Sequence, residues 1–262
     1  MEKGAISKEF FIGRFLYLKD LLDNKIPNVR YTTMNGHDAV SFNAVNKKTG
    51  QTIRRRVTDK NPKWDKYSAL AAQRAKYEEQ LNKLLSLWKD NYRGSLKKLS
   101  QGYMLRPNTD NPYNTEFWKA LTEGSNTYPK NKEYTHNGII MRSVLETEVA
   151  DILDRLGIEY KYDTMISAGG NKSISPDFAM KLPEFNRCGF AEAMGGLSNF
   201  GYMKDNVDKY GKYLNCGLYP NRDVAMIPGD NDYRPDQSTI MRMLAIVLDS
   251  LARLYVIKKS SF

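Results

Sequence analysis

The sequence predicts an α/β protein: a mixed central sheet flanked by helices in the C-terminal half, preceded by a helical and β-hairpin region. Three observations carry this. From residue 142 onward, helical patterns alternate with short apolar runs of strand length. Before that, residues 39–45 and 51–57 alternate apolar and polar side chains around the turn Asn46-Lys47-Lys48-Thr49-Gly50. Across 262 residues, 41% hydrophobic and 27% charged side chains suit a chain with a proper core, and exclude disordered and fibrous classes.

The elements follow in order. Residues 6–23 read as a helix, with Phe11, Leu18 and Leu22 at helical spacing, Phe15 between them and Ile26-Pro27-Asn28 ending it. In the hairpin, Val40, Phe42 and Ala44 share one face, as do Ile53 and Val57 on its second strand. Residues 63–92 give the longest helix, striped by Leu70, Tyr77, Leu81, Leu84, Leu85 and Trp88. Residues 100–138 are rich in Asn, Pro, Gly, Thr and Tyr and read as a connection, interrupted by a helical piece at 116–121. The boundary falls near 125–138, dividing the chain into regions 1–130 and 131–262. The second region opens with a helix at 142–156, with Gly157 placed as its C-cap glycine. Strands are expected at 159–165, 175–180, 188–194 and 223–227. A helix at 202–214 separates the last two, and a helix at 239–258 closes the chain.

Only Cys188 and Cys216 are present, so a disulfide framework is excluded and a reducing, cytoplasmic setting is expected. No signal-peptide pattern opens the sequence, and no apolar run nears the roughly 20 residues of a membrane span. His37 and His136 with two cysteines are too few and too scattered for a zinc site. The net charge is +10, unevenly spread. Residues 1–135 hold 25 Lys and Arg against 14 Asp and Glu, whereas residues 136–262 hold 15 against 16. A basic half beside a near-neutral one points to a polyanion, with nucleic acid favoured over a merely solubilising surface. Lys47, Lys48, Arg54, Arg55 and Arg56 would make the hairpin a ribbon for a nucleic-acid groove, or a charged edge that discourages strand aggregation. Tyr103, Tyr113, Tyr128 and Tyr134 suit base stacking or, more simply, loop packing.

Three carboxylates stand out. Glu146 shares a helix face with Val149, Ala150 and Leu153, where charge is costly unless paired or metal-bound, while Glu148 points elsewhere. Asp177 follows Ser175-Pro176 and opens a strand. Glu192 lies inside the apolar run 189–194. Asn186-Arg187 makes a turn between them, so the two strands pair as a hairpin. Two acidic side chains on adjacent strands suit a hard cation such as Mg2+. The competing reading satisfies them with Arg142, Arg187 or backbone amides.

These motifs, in this order, resemble the PD-(D/E)XK nuclease superfamily, and more narrowly a group of bacterial and phage-borne proteins related to the restriction-endonuclease fold. The resemblance covers about residues 138–230. It rests on Arg142-Ser143-Val144-Leu145-Glu146, Gly157-Ile158-Glu159-Tyr160, Pro176-Asp177-Phe178, Ala191-Glu192-Ala193-Met194-Gly195, the helix from Lys209 to Tyr213, and Asn215-Cys216-Gly217-Leu218. It implies a metal-dependent endonuclease of DNA using Mg2+ (or Mn2+). Glu146 would be the helix-borne acid, and Asp177 and Glu192 the metal ligands, with Glu146 as the third. The usual lysine two residues after the second acid is Met194 here, on the same strand face as Glu192. Lys209 on the following helix is the replacement, with Lys212 and Lys204 in reserve. If no lysine reaches the site, the alternative is a degenerate nuclease fold that binds nucleic acid or serves as a virion component. DNA is the expected partner, with a homo-oligomer and phage proteins as further candidates, in the cytoplasm of a bacterial host or in a virion.

Overall fold

The structure of the protein is a computed structural model that describes residues 4–124, 129–167, 173–196, 198–230 and 233–259. Helix α1 (Lys8–Asp20) starts where the Ser7 hydroxyl accepts the Phe10 amide, and it buries Phe10, Phe11, Ile12, Phe15 and Leu18. It is covered on nearly all sides. At Gly13 a Cβ would sit 2.7 Å from the Phe185 ring and 2.9 Å from Val256, so glycine lets the helix come this close. The chain then widens into a π-helical turn, Leu21–Lys25, instead of continuing α-helical to residue 23.

Three strands follow: β1 (Val29–Met34), β2 (His37–Val45) and β3 (Thr52–Thr58), antiparallel in the order β1-β2-β3. The expected hairpin is β2–β3; β1 adds an unforeseen third strand, closed onto β2 by the turn Asn35-Gly36, both at positive φ. One face of this sheet packs on α2 (Trp64–Asn91) through a small core of Val29, Val40, Val57 and Ala71, with Phe42 stacked on Tyr67 at 4.4 Å.

The stretch expected to be a connection is more structured than its composition suggested. It holds α3 (Leu96–Ser100), β4 (Tyr103–Leu105), α4 (Thr115–Ala120), β5 (Thr122–Glu123) and the small hairpin β6 (Thr135–His136) to β7 (Ile139–Ile140). Residues 125–128, at the expected boundary and including Tyr128, lie outside the described residues.

The C-terminal half begins with α5 (Val144–Arg155). The run 159–165, expected as one strand, is two: β8 (Glu159–Tyr162) and β9 (Thr164–Ser167), broken at Asp163, whose φ is +52°. They belong to different sheets, because β9 turns away to pair with β5 and with β10 (Ser173–Ile174). The central sheet has the order β13-β12-β11-β8, with β11 (Phe178–Leu182), β12 (Arg187–Met194) and β13 (Val224–Pro228). β12 runs parallel to β13 and antiparallel to β11, so the sheet is mixed.

Helix α6 (Phe200–Asn215) lies between β12 and β13 in sequence, and α7 (Gln237–Tyr255) follows β13. The expected final helix stops three residues short, because Val256–Lys258 form β14, antiparallel to β4. Ala191, Phe178 and Ile227 face one core with α5 and α7; Cys188, Phe190, Ala179 and Val224 face a second with α4 and α6. The larger core also takes Phe10, Phe11 and Leu18 of α1 and Trp88 of α2, so both halves of the sequence contribute to it. The Arg14 guanidinium joins them further, donating to buried Glu184 at 2.9 Å. Among the described residues, no helix is long and apolar enough to cross a membrane.

Candidate functional site

β11 and β12 form the expected hairpin, closed by the short 3-10 turn Pro183–Phe185 and by Asn186 at φ +47°; Arg187 already belongs to β12. Phe178 pairs with Ala191, so the residues one step outward, Asp177 and Glu192, stand opposite each other on the same face. That face is the α6 side. Both are buried, at 5% and 4% exposure, and both line a cleft of about 620 Å³.

The Asp177 carboxylate accepts the Ala193 amide at 2.8 Å. Glu192 accepts from the Tyr213 hydroxyl at 2.6 Å on one oxygen and from the Lys209 amine on the other. Tyr213 and Lys209 are four residues apart on α6, so one helix face delivers both groups. Burial first, and then the neighbouring Asp177 charge, push the Glu192 carboxyl up to about 8, against the pull of Lys209 and Tyr213. Burial also raises Asp177, opposed mainly by Lys209.

Glu146 reaches the same cleft from the opposite side of the sheet. It is the third residue of α5 and completes a capping box: Ser143 Oγ accepts the Glu146 amide at 3.2 Å, and Glu146 Oε2 accepts the Ser143 amide at 3.0 Å. The same oxygen accepts the Arg142 amide at 2.6 Å and the Tyr162 hydroxyl at 3.0 Å. Tyr162 lies on the α5 face of the sheet, paired with Phe178. Burial and the Asp177 charge raise the Glu146 carboxyl to about 7. Among the described residues, no group of three or more His, Cys, Asp and Glu side chains is placed to hold a metal ion. The sheet explains this: Asp177 and Glu192 project to one face, whereas Glu146 is tied to a helix on the other.

The remaining expected residues fall into three groups. Lys212 lines the cleft and is exposed, and Lys204 is exposed; Lys209 alone among the three is shown bonded to Glu192. Met194 is half-buried, two positions beyond Glu192 on the same face. Of the counter-ions weighed for the carboxylates, Arg187 instead serves buried Asp223 at 2.6 Å, and Arg142 bonds Tyr162 and Asp163. Glu148 turns away to Arg234, 3.6 Å distant. Lys47, Lys48, Arg54, Arg55 and Arg56 are all exposed on β2–β3, and Arg54 donates to Ser41 Oγ at 3.0 Å.

Sequence reasoning missed two features of the site. The capping box was readable as Ser-x-x-Glu before an apolar run. Asn206, three residues before Lys209, lines the cleft at 9% exposure, and its Nδ2 has no hydrogen-bond partner among the described residues. No local sequence signal marks it, since an asparagine in a polar helix is ordinary.

Comparison of this chain with protein-family models, with curated proteins and with solved structures finds no match.

Proposed function

We propose that this protein is a metal-dependent endonuclease of the PD-(D/E)XK kind, hydrolysing phosphodiester bonds of DNA on a restriction-endonuclease-like fold. One observation carries the reading. Lys209 reaches Glu192 from α6, in the cleft where Asp177 stands opposite, so an amine is present although Met194 occupies the usual lysine position.

The donor set fits Mg2+ (or Mn2+): Asp177 and Glu192 are hard oxygen donors on paired strands, and magnesium is commonly held by one or two carboxylates with water completing its shell. Burial raises the proton affinity of both carboxylates, and the Asp177 charge raises that of Glu192 further, which a bound cation would relieve. When bound, the ion supplies Lewis-acid stabilisation of phosphate charge. The chain's own residues do the rest. Tyr213 fixes the Glu192 carboxylate. Lys209, released from Glu192, places a positive charge beside the scissile phosphate and holds an attacking water by hydrogen bond. Glu146 orders the start of α5, holds Arg142 at the cleft wall and is itself held by Tyr162.

Plasmid and single-stranded DNA cleavage with Mg2+ or Mn2+ tests this. Wild type cuts and Asp177→Ala falls to background; cleavage unchanged in both Asp177→Ala and Glu192→Ala sinks the proposal.

A second reading has its own support. One oxygen of Glu146 is taken up by the Ser143 and Arg142 amides and the Tyr162 hydroxyl, and among the described residues no group of three or more His, Cys, Asp and Glu side chains is placed to hold a metal ion. On that reading the protein is a catalytically degenerate nuclease fold that binds nucleic acid or serves as a phage virion component. Salt-dependent DNA binding without cleavage would mark it.

A further inference from the structure

The three arginines of β3 do not share a face. Pairing sets Arg54 opposite Asn43, Arg55 opposite Phe42 and Arg56 opposite Ser41. Phe42 stacks on Tyr67 of α2, so Arg55 stands on the α2 side of the sheet and Arg54 and Arg56 on the outer side. Exposure does not separate them, since all three are exposed. Ser41, on the central strand, is 4% exposed, and its Oγ accepts the Arg54 guanidinium at 3.0 Å, which lays that side chain across the outer face. None of the outer-face positions of β1, β2 and β3 is Asp, Glu, Phe, Tyr or Trp. Arg30 shares this face at its edge but is drawn to Glu78 at 3.2 Å. Arg54 and Arg56 have no ion pair among the described residues, whereas Arg14, Arg74, Arg142 and Arg187 are each tied to a carboxylate.

We infer that the outer face of this sheet docks the phosphate backbone of duplex DNA, with Arg54 and Arg56 as the contacts and Arg55 as a bystander. The identity of the polyanion rests on the nuclease reading; the face and the form of the DNA go beyond it. Charge complementarity carries the docking. Two cations without carboxylate partners, two residues apart on an acid-free surface, suit a row of phosphates. The choice of duplex follows from what the face lacks. Proteins that hold single strands stack bases on aromatic side chains. Here the aromatic residues of the sheet turn to α2, Phe42 onto Tyr67 and Tyr31 donating to the Ser68 carbonyl at 2.9 Å. Arginine, serine, threonine and asparagine bond phosphate and sugar oxygens, so the face holds DNA without reading its sequence.

Fluorescence anisotropy of a labelled duplex of arbitrary sequence, titrated with the full chain in EDTA over a range of salt, tests this apart from cleavage. Arg54→Gln, Arg55→Gln and Arg56→Gln each remove one exposed charge, so only the face differs between them. Arg54→Gln and Arg56→Gln weaken binding several-fold and each reduce the log–log salt slope by about 0.9; Arg55→Gln leaves the slope unchanged. The melting temperature stays the same in all three, and the matching single strand binds more weakly than the duplex. Equal losses in all three variants, no loss in any, or a single strand bound as tightly as the duplex overturns the inference. Cleavage with Mg2+ and its loss in Asp177→Ala report on the nuclease reading alone. That loss beside silent arginine variants keeps the nuclease and overturns the docking face. The expected binding pattern without cleavage keeps the docking face and overturns the nuclease.

Discussion

The three-stranded sheet β1–β3 buries one face and leaves the other exposed, whereas the four-stranded sheet β13-β12-β11-β8 is buried on both faces, and the two treat charge in opposite ways. The first carries Arg54, Arg55 and Arg56 in a row on an exposed strand over a core of only four buried residues. The second sinks Asp177 and Glu192 to 5% and 4% exposure at the end of a hairpin with two cores behind it. Exposed charge costs the fold little and therefore says little about purpose. Buried charge needs a large core to tolerate it, so its persistence at one spot is the stronger sign of a task.

The contrast can be broken first at the cores. Phe11→Ala, in the shared core beside Trp88 and Tyr92, should cost about 3–5 kcal/mol of unfolding free energy. Val57→Ala, in the small core under the hairpin, should cost about 1.5 kcal/mol. Urea denaturation at one protein concentration measures both, and equal losses would erase the distinction.

The buried charges sharpen it next. Because the folded Glu192 carboxyl sits at about 8 against an ordinary value of 4.5, the folded state holds the proton more tightly than the unfolded one. Its contribution is fully present below pH 4.5 and is lost as the pH rises toward 8. Glu192→Gln removes that dependence. Its melting temperature relative to wild type, without added metal, should rise by about 5 °C between pH 5 and pH 9. A difference that stays flat across that range would mean the carboxylate is already ionised in the folded protein.

The exposed charges give the smallest effect on the fold. Replacing Lys47, Lys48, Arg54, Arg55 and Arg56 with Gln should leave the melting temperature nearly unchanged. DNA affinity should fall, and the log–log salt slope should shrink by about 0.9 for each phosphate that the hairpin no longer neutralises. An unchanged slope would make the arginine strand a protected edge and nothing more.

How much of this was legible in the sequence follows the same division. The β11–β12 hairpin, the facing of Asp177 and Glu192 and the α6 helix were all readable, because alternation and helical period are local. Lys209 was readable as the first choice of three lysines, but its bond to Glu192 was not. Its selection depends on how α6 lies across the sheet, which no local pattern encodes. β4 and β14 were missed because their partners are about 150 residues apart, and three-residue strands carry almost no periodicity. The break at Asp163 was missed because its positive φ depends on tertiary contacts with Arg142 and Asp177.

Helix α1 has a consequence for how this chain is made. Its Ser7 amide bonds Asp249 at 2.9 Å, 242 residues later, and the helix that carries Phe10, Phe11 and Leu18 packs against α2, α3 and α7. During synthesis these aromatic and aliphatic side chains emerge early and wait for α7 to leave the ribosome before the core can close. Contacts so distant in sequence slow folding and leave apolar surface uncovered meanwhile. The first helix should therefore be the segment a chaperone meets on the nascent chain.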